Sequence, residues 1–337
     1  MKGEDRFVEK LRALLPPSER VRIGPGDDAA VVAASGSDLV LTTDLLVENV
    51  DFLPEEDPEA IGRRALAINL SDLAAMGARP EFFLLSIAFR PERGEEFPLA
   101  VARGALTRAE PLGLDLVGGD LSAAEETVVC VLLGGRAEGE LMTRAGAKPG
   151  DLLFLSGWPG RAAAGLRLAR RRGRAFDSVS SPVSTALSPE EEQELLSAYR
   201  DPEPRLTLGL FLGRERIAHA AIDVSDGLGI DASRLARGSQ VRVVLEQERI
   251  PISRAVASLA NAEAEDAMEW SLSGGDDYEL LFAAPPIFAP RLEEGRADWG
   301  VPVTRVGWIE QGSGTVLRGP DGEVDVSGLG HDHLERS

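Results

Sequence analysis

Aspartates occupy most of the positions at which this chain could do chemistry. Asp27 and Asp28 follow a Gly-Pro-Gly turn in IGPGDDAAVV, Asp44 ends TTD, and Asp120 follows two glycines in LVGGD. Asp223 and Asp226 stand in AIDVSDG, and Asp276 and Asp277 in SGGDDYE. Carboxylates with hydroxyls beside them (Thr42, Thr43, Ser225) are hard oxygen ligands, suited to Mg²⁺ and not to zinc. Glycines let a backbone approach a phosphate closely. Any one of these short motifs is weak evidence. Five in one chain, with only three histidines and one cysteine, favour magnesium over soft-metal chemistry.

Magnesium in turn points to a phosphate ligand. The chain has no G-x-x-x-x-G-K-[ST] and no G-x-G-x-x-G after a strand, so neither a P-loop nor a dinucleotide fingerprint supplies the phosphate site. Charge neutralisation then falls to metal ions and a few basic groups. Arg144 and Lys148 in MTRAGAKPGD are candidates; either could instead be a surface charge at a domain join.

The elements that would position these groups follow from periodicity. EDPEAIGRRALAINLSDLAAMGARP reads as a helix, with Asp57 as N-cap, Pro58 at its first position, and Gly77 and Pro80 marking its end. At ~100° per residue, Ile61, Ala65, Ile68 and Asp72 share one stripe, so Asp72 lies on the apolar face. An unpartnered carboxylate there is costly, so Asp72 either pairs with an arginine or serves a site. In AIDVSDG, Ile222 and Val224 point one way and Asp223 and Ser225 the other. Asp226 could be a mere N-cap for the next helix, which leaves Asp223 unexplained. Strand alternation lets only one of Asp27 and Asp28 face a common cluster.

Strands are expected at 38–46, 81–89, 114–120, 126–135, in LLFLS, AAIDVS, VRVVLE, YELLFAA and VTRVGWI. Helices are expected at 95–113, 160–172, 189–200, 206–218, and near 253–261 and 287–295. The Arg/Ser-rich piece 170–188 reads as a mobile connection. Strand and helix alternate in both halves, giving two α/β or α+β domains with a join near 138–150. The length of 337 residues fits two ordinary domains.

Composition sets the outer limits. The net charge of −20 argues against a nucleic-acid or anionic-membrane surface. No apolar run approaches the ~20 residues of a membrane span, and MKGEDRFVEK lacks the apolar core of a signal peptide. Cys130, alone in TVVCVLLGG, reads as a small buried strand residue and excludes an intrachain disulfide. A cytoplasmic protein is expected.

GPGDDAAVV, TTDLLVENVDF, NLSDLAAMGA, LVGGD, MTRAGAKPGD, IDVSDGL and SGGDDYELLF occur in this order. Together they resemble the thiamine-monophosphate kinases, members of the superfamily that includes aminoimidazole ribonucleotide synthetase. The resemblance runs from residue 3 to about 334. It implies a two-domain PurM-like fold of class α/β (α+β), with a metal- and ATP-binding and dimerisation domain at 1–138 and an α/β domain at 139–337. It implies a homodimer whose N-terminal mixed sheets join. The reaction implied is ATP-dependent phosphorylation of thiamine monophosphate to the diphosphate, by direct γ-phosphoryl transfer with several Mg²⁺ ions. No nucleophile-plus-base pair is apparent in the chain, in keeping with that route.

Position by position, the resemblance implies metal ligands at Asp27, Thr42, Thr43, Asp44, Asp72, Asp120, Asp223 and Asp226. It implies ATP contacts at Gly119, Asp120, Arg144 and Ser225, and substrate contacts at Asp51, Asp276 and His331. Asp28 is then left as a turn residue that braces the loop by local hydrogen bonds. Asp51 replaces a histidine of some relatives, Asp276 stands where glutamate is usual, His331 takes the place of an aromatic, and Leu334 replaces a phenylalanine. Other readings are another ATP-dependent enzyme of the superfamily, a nucleotide- or metal-binding protein without turnover, and a two-metal phosphohydrolase. A selenophosphate synthetase would want a reactive cysteine or selenocysteine near the N-terminus, and the hydrogenase-maturation relative ends in a cysteine; this chain shows neither.

Overall fold

The computed structural model describes residues 21–34, 38–175, 187–332 and 334, together with 6, 8, 9, 12 and 19. Its first sheet is mixed and contains β1 (Val21–Ile23), β2 (Ala30–Val32), β3 (Leu39–Val47), β4 (Ala78–Phe89), β5 (Asp115–Ala123) and β6 (Val128–Ala137). Their order is β1-β2-β3-β6-β4-β5, with only β4 and β5 parallel. The second sheet contains β7 (Leu152–Ser156), β8 (Ala220–Val224), β9 (Arg242–Glu246), β10 (Glu279–Ala284), β11 (Val303–Glu310), β12 (Gly314–Gly319) and β13 (Gly322–Asp325). Its order is β13-β12-β9-β11-β7-β10-β8. It is antiparallel except for the β9–β12 pair. The fold is mixed α/β, as expected.

The helix Pro58–Met76 joins the two sheets. Asp57 accepts the Glu59 amide at 3.1 Å, Pro58 opens the helix, and Gly77 closes it at φ 66°, where a side chain would be strained. Its apolar residues Leu66, Leu70 and Leu73 are fully buried in one core with Phe154, Leu208 and Phe282 of the second half. Full burial of such a side chain is worth about 1.5–3 kcal/mol, so this shared core fixes the helix against both sheets. The edge strand β8 also packs on the helix, which places Asp223 beside Ser71.

Three local expectations shift. LVGGD does not end a strand: its glycines lie inside β5. The helix expected at 206–218 stops at Arg214, and the one at 95–113 ends at Ala109 before a 3₁₀ turn. A helix at Ala267–Ser273 and the β12–β13 hairpin carry too weak a pattern to be seen in the sequence. The connection expected at 170–188 begins as helix through Ala175, and residues 176–186 lie outside the described residues. Among the described residues no helix is long and apolar enough to cross a membrane.

Candidate active site

A cavity of about 540 Å³ opens between the two sheets. Asp44, Asp51, Asp72, Asp223, Ser225, Asp226, Asp276 and His331 all line it. β3 contributes Asp44, the Pro58–Met76 helix contributes Asp72, and the end of β8 contributes Asp223, Ser225 and Asp226. The apolar stripe on the helix carries Asp72 to the cavity, as its spacing requires, beside Ile68.

Three carboxylates converge at the inner end. One oxygen each from Asp28, Asp72 and Asp223 lies within 4.8 Å of the others. Their neighbours are sparse in positive charge. Thr42 donates its hydroxyl to Asp72 Oδ2 at 2.5 Å, and Ser71 donates to Asp223 Oδ2 at 2.7 Å. Arg144 Nη2 donates to Asp28 Oδ1 at 2.7 Å, while Asp28 Oδ2 is buried with no hydrogen-bond partner. Burial, then repulsion from Asp44 and Asp223, pushes the Asp72 carboxyl well above the usual range. Burial, then Asp28, does the same to Asp223. Burial and the charges of Asp226, Asp28 and Asp51 raise Asp44 to about 6, against a hydrogen bond with Asp72.

Of the pair Asp27–Asp28, it is Asp28 that stands with Asp72 and Asp223. The Asp27 carboxylate accepts the Asp28 amide at 3.1 Å and the Arg144 amide at 3.2 Å. Asp28 is the residue in the cluster. The backbone turns within GPGDD, so the simple strand alternation used to choose between them does not apply there.

Asp226 is not an N-cap. Gly227 holds the cap position of the Leu228–Ser239 helix and makes no side-chain cap bond. Buried Asp231, one turn into that helix, accepts the amides of Ser225, Asp226 and Gly227 at 3.0–3.1 Å. Arg234 pairs with both Asp226 and Asp231. Asp226, paired with Arg234, also lines the cavity.

Three expected residues stand apart from the cluster. Thr43 points to the opposite face of β3, where its hydroxyl donates to the Val131 carbonyl at 3.0 Å; alternation brings Thr42 and Asp44 in and turns Thr43 out. Gly119 and Asp120 lie on β5, the exposed edge strand, and line a separate groove with Leu85 and Leu99. The register Asp44–Val131–Leu85–Gly119 puts Gly119 in the row of Asp44, three strands away, or ~14 Å at the usual strand spacing. A Cβ on Gly119 would fall 1.8 Å from the Leu85 carbonyl oxygen, so only glycine fits.

A family model described as AIR synthase related protein, N-terminal domain, matches residues 26–137. The chain is 32% identical to the thiamine-monophosphate kinase of Escherichia coli K12 over 93% of this chain and 92% of that one. It is 35% identical to the thiamine-monophosphate kinase of Rhodopirellula baltica over 91% and 89%. The chain belongs to the thiamine-monophosphate kinase family. Among solved structures, AaThiL complexed with AMPPCP and TMP superposes with a TM-score of 0.80 at 29% identity, covering 98% of this chain and 96% of that one. In each of these comparisons the likeness extends over more than nine-tenths of this chain, and so over parts of both sheets.

Proposed function

We propose that the chain transfers the γ-phosphoryl group of ATP to the phosphate of thiamine monophosphate, giving thiamine diphosphate and ADP. Kinship with kinases named for this substrate, and with a structure bound to an ATP analogue and TMP, supports the two ligands. The observation that carries the chemistry is the convergence of Asp28, Asp72 and Asp223 with one buried oxygen unpartnered. Like charges so close ask for a cation, and an all-oxygen donor set suits Mg²⁺. Asp28, Asp44, Asp72, Asp223 and Asp226 would hold such ions, with Thr42 orienting Asp72. Bound there, Mg²⁺ would offset the repulsion between the two phosphates and the charge developing in transfer.

The remaining roles belong to the chain. Arg144, anchored on Asp28, adds a fixed positive charge at the phosphate end. Ser225 offers a hydroxyl from the cavity wall. No side chain needs to act as a general base, because the attacking phosphate oxygen is already an anion; transfer is direct and in line. Asp51, Asp276 and His331 form the thiamine side of the cavity. His331 is exposed and lines the cavity, and its amide donates to the Asp226 carbonyl at 2.9 Å, which ties its backbone to the Asp226 turn.

Gly119 and Asp120 we assign to an ATP contact at a subunit boundary. The open edge β5 carries exposed Val117 and Leu121, and the sheet face beside it carries exposed Leu45 and Leu132. An uncovered edge and apolar face of this kind suit pairing with a second copy. In this reading residues 1–138 bind metal and ATP and form the dimer, and 139–337 complete the substrate side. Incubation with ATP, Mg²⁺ and thiamine monophosphate tests the proposal: thiamine diphosphate and ADP are expected, and ATP consumption without thiamine diphosphate would sink it.

A further inference from the structure

The same helix that presents Asp72 buries a cation that the reaction does not use. Arg64 is only 1% exposed, although its partner Asp276 is 36% exposed at the cavity. Arg64 Nη1 donates to the Asp51 carbonyl at 2.7 Å, and Nη2 donates to Asp276 Oδ2 at 2.9 Å. Its guanidinium lies over the Tyr199 ring, 4.7 Å from the centroid. The Tyr199 hydroxyl in turn donates to Glu56 at 2.6 Å. A planar, stacked, two-handed donor is a task for arginine and not for lysine.

The two loops gripped by Arg64 come from different sheets. The Asp51 loop closes on itself through Val47, which donates to Asp51 Oδ2 at 2.7 Å and accepts the Asp51 amide at 2.8 Å. The SGGDDYE loop holds Asp276 and Tyr278 at positive φ, 68° and 51°. Such backbone persists only where surrounding contacts over-determine it. The Asp276 amide donates to Ser225, and the Tyr278 hydroxyl to Asp276 Oδ1 at 2.9 Å. Arg64 closes this chain of contacts across the cavity.

We propose that Arg64 is a positioning residue that sets the spacing of the two thiamine-side walls, the Asp51 loop and the Asp276 loop. Arg64, Ile68 and Asp72 repeat every four residues down one helix face. The eight residues from Arg64 to Asp72 span ~12 Å, so one rigid element rules off the distance from the substrate loops to the acid cluster. The inference rests on the preceding assignment of Asp51 and Asp276 to the substrate.

The test compares wild type with Arg64→Lys and Arg64→Gln in steady-state kinetics. Amide hydrogen exchange is read at 47–53 and 273–279. KM for thiamine monophosphate should rise roughly tenfold or more, with KM for ATP held within about twofold, and exchange should quicken in both loops together. An unchanged KM for thiamine monophosphate beside a lowered melting temperature would reduce Arg64 to a structural role. Equal rises in both KM values, or loosening of one loop alone, would also overturn the proposal. Wild-type formation of thiamine diphosphate is the control: its absence removes the assigned reaction, and the exchange measurement then decides the Arg64 bridge by itself.

Discussion

Arg144 holds Asp28 Oδ1 at 2.7 Å and leaves Asp28 Oδ2 buried and unpartnered, in a residue whose carboxylate converges with those of Asp72 and Asp223. The neighbouring Asp27 spends its carboxylate on two backbone amides. Asp28→Asn should therefore cost roughly two orders of magnitude or more in turnover and raise the Mg²⁺ concentration needed. Asp27→Asn should act mainly on loop stability. Kinetics as a function of Mg²⁺ for the two variants would contradict this if Asp27→Asn were the more damaging.

Asp72→Asn separates a ligand from an ion-pair partner. Among the described residues no Lys or Arg is paired with Asp72; its hydroxyl donor is Thr42, and its nearest charges are carboxylates. Turnover should collapse while the melting temperature of the metal-free protein holds or rises, because a repelled charge is removed. A loss of ~3–5 kcal/mol in stability, as for a broken buried pair, would refute the assignment.

The two threonines of TTD should part company. Thr42→Val removes the hydroxyl that orients Asp72, and should weaken Mg²⁺ activation about tenfold. Thr43→Val alters the opposite face of β3 and should leave Mg²⁺ activation near wild type, provided the fold and any dimer survive. Similar shifts in both variants would show that side-chain direction in this strand does not govern metal use.

Acidity should run opposite ways with and without metal. Asp44 is raised to about 6, mainly by burial, so between its unfolded value of ~3.9 and 6 the folded state binds more protons than the unfolded state. Stability of the metal-free protein is then fullest below pH 4 as far as this group goes, and falls as pH rises through 6. Asp72 and Asp223 are raised in the same direction. Melting curves should show a Mg²⁺-induced gain that is larger at pH 7 than at pH 5; a larger gain at pH 5 would contradict the cluster's role.

Asp231 collars the Ser225–Gly227 turn by accepting three amides. Asp231→Ala leaves those donors without their acceptor and Arg234 without one partner. It should destabilise the protein by about 3 kcal/mol or more in denaturant unfolding. Turnover should fall as well, since Ser225 and Asp226 lose their placement. Full activity with an intact fold would show that the turn is held by other contacts.

The sequence by itself determined the acid motifs and their order, and the oxygen chemistry they imply. It also determined the helix from Pro58 to Met76, whose caps and stripe are local features: Asp57, Pro58 and Gly77 write its ends, and the four-residue spacing writes its face. That is why spacing alone puts Asp72 on the buried face, as an arginine's partner or as a site residue. What only the tertiary structure decided depends on groups that meet from distant segments. Asp28 rather than Asp27 joins the cluster because the GPGDD turn breaks strand alternation and Arg144, 116 residues away, takes one oxygen. Asp231 replaces Asp226 as the brace of its turn because a buried carboxylate one turn into a helix can gather three free amides. Nothing in GRRALAI marks Arg64, which the fold buries between two loops drawn from different sheets. Spacing along the chain fixes which face a residue shares; the charges and donors it faces are fixed only when the sheets close around it.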